Sequence, residues 1–110
     1  MGFVKIADGV LFADKRMEDA FEFLSEDDWL KKAILRAMER LKENVFCGEK
    51  IKKGLIPKEY IQKYDIDNLY WYSLPNAWRL VYSVVADGVE ILAIIIEYFD
   101  HKKYERRINY

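Results

Sequence analysis

One stretch of the chain gathers groups able to move protons and hold a phosphate: Asp100-His101-Lys102-Lys103-Tyr104-Glu105-Arg106-Arg107. It combines an imidazole that titrates near neutrality, a phenol and four cations. Cleaving RNA at a phosphodiester requires a group to take the proton from the attacking 2′-hydroxyl and another to protonate the leaving 5′-oxygen. It also requires cations that neutralise the charge developing on phosphorus. His101 and Tyr104 are the candidates for the proton transfers, and Arg79, Lys102 and Lys103 for the phosphate. Elsewhere there is no Gly-rich phosphate loop, no metal-ligand spacing and no Ser or Cys nucleophile beside a base. A single His cannot build a His-rich metal site, so no metal and no cofactor is expected.

Each of these residues also has a purely structural reading. Arg79 is the only cation between residues 64 and 100, and it can pair with Glu90 or Glu97 across a hairpin. His101 can be a surface residue at a strand end, and Tyr104 can simply pack its ring under the tail. Lys50, Lys52 and Lys53 read as a solvated loop or as phosphate contacts. Tyr70, Trp71, Tyr72 and Trp78 read as core and sheet-face packing, with one ring left to stack on a base. Cys47 reads as a buried or inert thiol.

With 110 residues the chain forms one domain, residues 1–110. It is 52% hydrophobic and nearly neutral, which excludes disorder. One Cys excludes a disulfide framework and suits a reducing compartment. No apolar run is long enough for a membrane span, and no signal core opens the chain; a soluble, cytoplasmic protein is expected. The net charge of −1 conceals a pattern. Residues 46–63 carry five Lys against Glu49 and Glu59, and 101–110 carry four cations against Glu105, +3 in each case. Residues 64–100 set Arg79 against six acids, −5. If the fold brings the two basic segments together, a positive surface exists on a neutral molecule.

The elements that must position these residues follow from periodicity. Asp8-Gly9 reads as a turn before a strand near Val10–Ala13, with a short pairing strand at Phe3–Ala7. Met17, Ala20, Phe21 and Leu24 mark a helix. Ser25, with Asp28 in capping-box position, opens a second helix over about Glu26 to Glu43, close enough to the first to force an antiparallel hairpin. Pro57–Lys63 gives one helical turn with Pro inside it. Leu69–Leu74, Trp78–Val85 and Val89–Phe99 read as strands, the last two joined at Asp87-Gly88. Ile91–Ile96 is apolar at every position and should be a central strand with both faces covered. The expected fold is α+β: an N-terminal strand, a helix hairpin on one side of a mainly antiparallel sheet, a closing three-stranded meander and a short basic tail.

Trp78-Arg79-Leu80-Val81-Tyr82 resembles the aromatic-Arg-Leu-aliphatic-Tyr strand of the RelE/ParE superfamily of toxin–antitoxin toxins. Gly48 and Lys50-Ile51-Lys52-Lys53-Gly54 are similar to that family's lysine-containing link between helix hairpin and sheet. Ile91–Ile96 running into His101-Lys102-Lys103-Tyr104 is similar to its last strand and basic C-terminal segment. The resemblance implies a RelE-like fold and a metal-independent endoribonuclease that cleaves mRNA, ribosome-associated and restrained by a cognate antitoxin. It places Arg79 on the phosphate-binding arginine, Lys102 on the second cation, and Tyr104 on the tyrosine that positions or activates the 2′-hydroxyl. His101 stands where relatives keep a basic residue or histidine. Lys50, Lys52, Lys53, Lys103 and Arg106 are the candidate RNA contacts. The strand Tyr70-Trp71-Tyr72-Ser73 lacks the lysines that RelE-type nucleases carry there. The alternative is therefore a non-catalytic protein on the toxin fold, either an inactivated toxin or a ParE-like inhibitor of a protein target. A homodimer is compatible with the sequence.

Overall fold

A computed structural model describes residues 7–86 and 88–108. Five strands form one mixed sheet in the order β1-β5-β4-β3-β2: β1 is Gly9–Phe12, β2 Glu49–Lys50, β3 Tyr70–Ser73, β4 Arg79–Ala86 and β5 Ile91–Phe99. β3, β4 and β5 are the expected antiparallel meander, while β1 runs parallel to β5, from Gly9↔Leu92 to Phe12↔Ile95. The uniformly apolar strand is thus flanked on both edges, as its composition requires. Gly9 opens β1 rather than turning the chain, and the flanking Asp8 N–H bonds to Ile91 O. The pairing strand expected at Phe3–Ala7 lies, apart from Ala7, outside the described residues, as does Asp87 of the β4–β5 turn. Gly88 in that turn has φ +89°, a conformation glycine adopts without strain.

Helices cover both faces of the sheet, which corrects the expectation that they gather on one side. The first face receives α1 (Lys15–Phe23) and α2 (Trp29–Glu43): Phe21, Leu30, Ile34, Ala37 and Leu41 pack on Leu80, Tyr82, Ala93 and Ile95. The second face receives α3 (Lys58–Tyr64) and α4 (His101–Ile108), with Tyr60, Tyr104 and Ile108 over Val81, Ile96 and Phe99. The basic tail is therefore a helix. Asp100 caps it, its carboxylate accepting from Lys103 N at 2.9 Å, and Tyr104 and Ile108, four apart, form its buried stripe.

α2 begins three residues later than its acidic approach suggests. Asp28, not Ser25, is the N-cap and accepts from Leu30 N at 2.9 Å; Ser25 Oγ only accepts from Asp27 N in the preceding turn. Lys31, one turn into α2, is buried. Its ammonium reaches back to Glu22 O, Leu24 O and the Glu26 carboxylate, and so fixes the link between the two helices. Pro57 stands at the N-cap of α3, one position before the first turn, and α3 itself extends to Tyr64.

Gly48 sits where two elements touch. Its N–H donates to Tyr82 Oη at 3.0 Å, and that buried hydroxyl donates to Val45 O at 2.7 Å. A Cβ on Gly48 would stand 2.6 Å from Trp71 O and 2.8 Å from Tyr82 Oη, whereas one on Gly54 meets nothing within 4 Å. Gly48→Ala is expected to lower unfolding free energy by about 1–3 kcal/mol, and Gly54→Ala to leave it within about 0.5 kcal/mol, as read by urea denaturation.

Candidate functional site

The site lies on the second face, where β4 leaves the turn after Pro75. Arg79 projects from the start of β4 to the same face as Val81, opposite Phe99 on β5 and Ser73 on β3. Its guanidinium carbon stands 4.0 Å from the Trp71 ring centroid and 4.5 Å from that of Tyr104. Ring faces carry partial negative charge, so this pair of contacts holds the cation, which forms no ion pair with a carboxylate among the described residues. Arg79 remains partly exposed. The pairing with Glu90 or Glu97 that its position allowed is replaced by this aromatic seat. Arg79 and the C-terminal segment therefore share one face, through Tyr104.

Tyr104 is 1% exposed, and its ring also meets Phe99 edge-on at 5.8 Å. It supports the guanidinium from beneath the surface. His101, one turn earlier, is exposed and its Nε2 lies 2.7 Å from Glu105 Oε1. Lys102 and Arg106 point to solvent, and Lys103 Nζ lies 3.6 Å from Glu97 Oε1. Lys50 lies on β2, paired with Tyr70 at the sheet edge, and Lys52 and Lys53 follow it, all exposed. Ile51, between them, is buried in the same cluster as Tyr104 and Ile108, so both basic segments border the second face. Cys47, expected to be buried or inert, is exposed; partial desolvation pushes its thiol upward and disfavours the thiolate.

Sequence reasoning missed Glu97, which it considered only as a partner for Arg79. This carboxylate is 8% exposed on the central strand. Tyr60 Oη donates a short hydrogen bond to it, and Arg107 Nε approaches at 3.4 Å while its Nη1 holds Glu59 at 2.6 Å. A break in the register between Val81↔Glu97 and Tyr82↔Ile95 inserts one extra residue, Ile96, into β5. That bulge places Glu97 beside Ile96 on the second face rather than across the sheet from it. Beside this network a cleft of about 260 Å³ is lined by Tyr60, Glu97 and Arg107 together with Asp14, Arg16 and Lys63. Asp14 caps α1, and its carboxyl is held low by Lys63 at 2.9 Å and by the backbone N–H of Arg16. The one sequence signal for this network was an acid interrupting an otherwise apolar strand. Among the described residues no group of three or more His, Cys, Asp or Glu could hold a metal ion.

Burial, then the Glu97 contact, drives the Tyr60 phenol well above its usual range, and burial does the same to Tyr82. The folded state thus keeps protons that the unfolded chain releases near pH 10, so stability is expected to fall as pH rises above about 10. Tyr60→Phe should flatten that fall while removing about 1–3 kcal/mol at pH 7, measured by urea unfolding between pH 7 and 11.

No protein-family model, no curated protein and no solved structure matches the chain.

Proposed function

We propose that the protein is a RelE-like toxin of a type II toxin–antitoxin pair, a metal-independent endoribonuclease acting on mRNA at the ribosome. The observation that carries this reading is the seat of Arg79, a partly exposed guanidinium held against the rings of Trp71 and Tyr104 on the face bordered by both basic segments. The order of strand, two helices and antiparallel meander is in keeping with the RelE-like arrangement.

In this reading Arg79 binds the non-bridging oxygens of the scissile phosphate through two parallel N–H donors. Its stabilisation grows as charge accumulates on phosphorus. His101 exchanges protons with the reacting oxygens, and Glu105 Oε1, 2.7 Å from its Nε2, orients the ring. Lys102 supplies the second cation, with Lys50, Lys52, Lys53, Lys103 and Arg106 flanking the RNA backbone. Tyr104 acts as a positioning residue, because its burial removes it from direct proton transfer. The antitoxin would cover this cationic face.

The buried Tyr104 and the absence of lysines on Tyr70–Ser73 favour a second reading, a non-catalytic protein on the same fold that acts through protein contacts.

Purified protein added to translating ribosomes, with new RNA ends mapped, separates the two. The nuclease reading expects discrete cleavage, and growth arrest when the protein is expressed without a partner. Arg79→Ala should lower cleavage about 100-fold or more, Lys52→Ala by less than about tenfold, and Arg79→Lys should fail to restore it because an ammonium does not stack as a guanidinium does. No new ends at full soluble yield would overturn the nuclease reading. Equal losses for Arg79→Ala and Lys52→Ala would remove Arg79 from the site.

A further inference from the structure

At the end of the sheet away from β2, β1 is an edge strand whose outer side has no strand partner among the described residues. Gly9-Val10-Leu11-Phe12 holds no charge, no proline and no bulge, the usual means by which an edge repels another strand. The acid next to it, Asp8, is turned inward, its carboxylate accepting from Ile91 N at 2.7 Å. Leu11, on the side of β1 away from α2, is 51% exposed, and Leu35, on the flank of α2 that adjoins the edge, is 42% exposed. Between strand and helix runs a groove of about 370 Å³ lined by Val10, Leu11, Leu35, Met38, Glu39 and Lys42.

The charges flanking this groove suit a second copy of the chain. Ala7 N–H bonds to Lys42 O at 2.9 Å, and Leu11 shares the groove with Leu35, so α2 runs antiparallel beside β1. Seven helical residues back from Lys42, or three strand residues on from Ala7, each advance about 10 Å. Leu35 therefore lies level with the middle of β1. A two-fold axis through the middle of β1 pairs the strand with its symmetry mate antiparallel and brings Leu35 to its own copy. Lys32 and Glu39 lie three residues before and four after Leu35 on the same flank, both exposed, and neither forms an ion pair among the described residues. The same axis sets each Lys32 opposite the partner's Glu39.

We propose that the outer edge of β1, unpaired among the described residues, and the Lys32–Leu35–Glu39 flank of α2 form the interface of a homodimer, joining two sheets into one continuous sheet of ten strands. It lies away from Arg79 and does not depend on the nuclease reading.

Sedimentation equilibrium of the full chain over a range of concentrations tests it, with circular dichroism verifying that each variant folds. A monomer–dimer equilibrium is expected, abolished by Leu11→Lys at its exposed position. Lys32→Glu and Glu39→Lys should each raise the dimer dissociation constant about tenfold, and the double reversal should restore it to within about threefold. A monomer at every concentration would overturn the proposal. So would a dimer indifferent to Leu11→Lys, or single charge reversals that the double reversal does not rescue.

Discussion

A carboxylate buried in the middle of a sheet has to be compensated, and the second face of this protein is organised around that requirement. Glu97 sits on the central strand, out of water, and an ion there is costly unless hydrogen-bonded and paired. The compensation comes from two separate helices: Tyr60 from α3, and Lys103 and Arg107 from α4. Satisfying one charge therefore fixes both helices on the sheet. Since α4 also carries Tyr104, the same arrangement sets the ring against which Arg79 lies. A structural ion network and a candidate phosphate-binding group are thus coupled through a single helix.

Arg79 itself shows why a cation can be held in place without being neutralised. A carboxylate partner would orient the guanidinium but would occupy the donors that a phosphate needs. Two aromatic rings hold it, each contact contributing about 0.5–2 kcal/mol, without supplying a counter-charge. The lysines of 50–53 and the cations of α4 border this same face of a nearly neutral molecule.

Much of the architecture was legible in the chain because it is locally encoded. Apolar residues three and four apart mark α1 and α2, and the unbroken run Ile91–Ile96 marks the central strand. Two features were hidden because their causes are distant in sequence. The link before α2 is held by Lys31 reaching back to carbonyls seven and nine residues earlier, which no capping pattern displays. The helical tail was obscured because six of its eight residues are polar or charged, and only Tyr104 and Ile108 show its buried stripe. For the site, residue types suggested Arg79 and the C-terminal segment as candidates. The aromatic seat and the role of Glu97 depended on strand register and a bulge, neither of which periodicity reveals.

The parallel pairing of β1 with β5 carries a consequence for synthesis. The central strand borrows one neighbour from residues 9–12, some eighty positions upstream, and the other from the strand just before it. Contacts of such separation close only after a long loop has been ordered. In chain order α1 and α2 are made before their sheet has a centre, and their apolar flanks wait exposed until β4 and β5 emerge. Assembly of the Arg79 seat, which needs α4, comes later still, so the cationic face matures only after every strand of the sheet has been made.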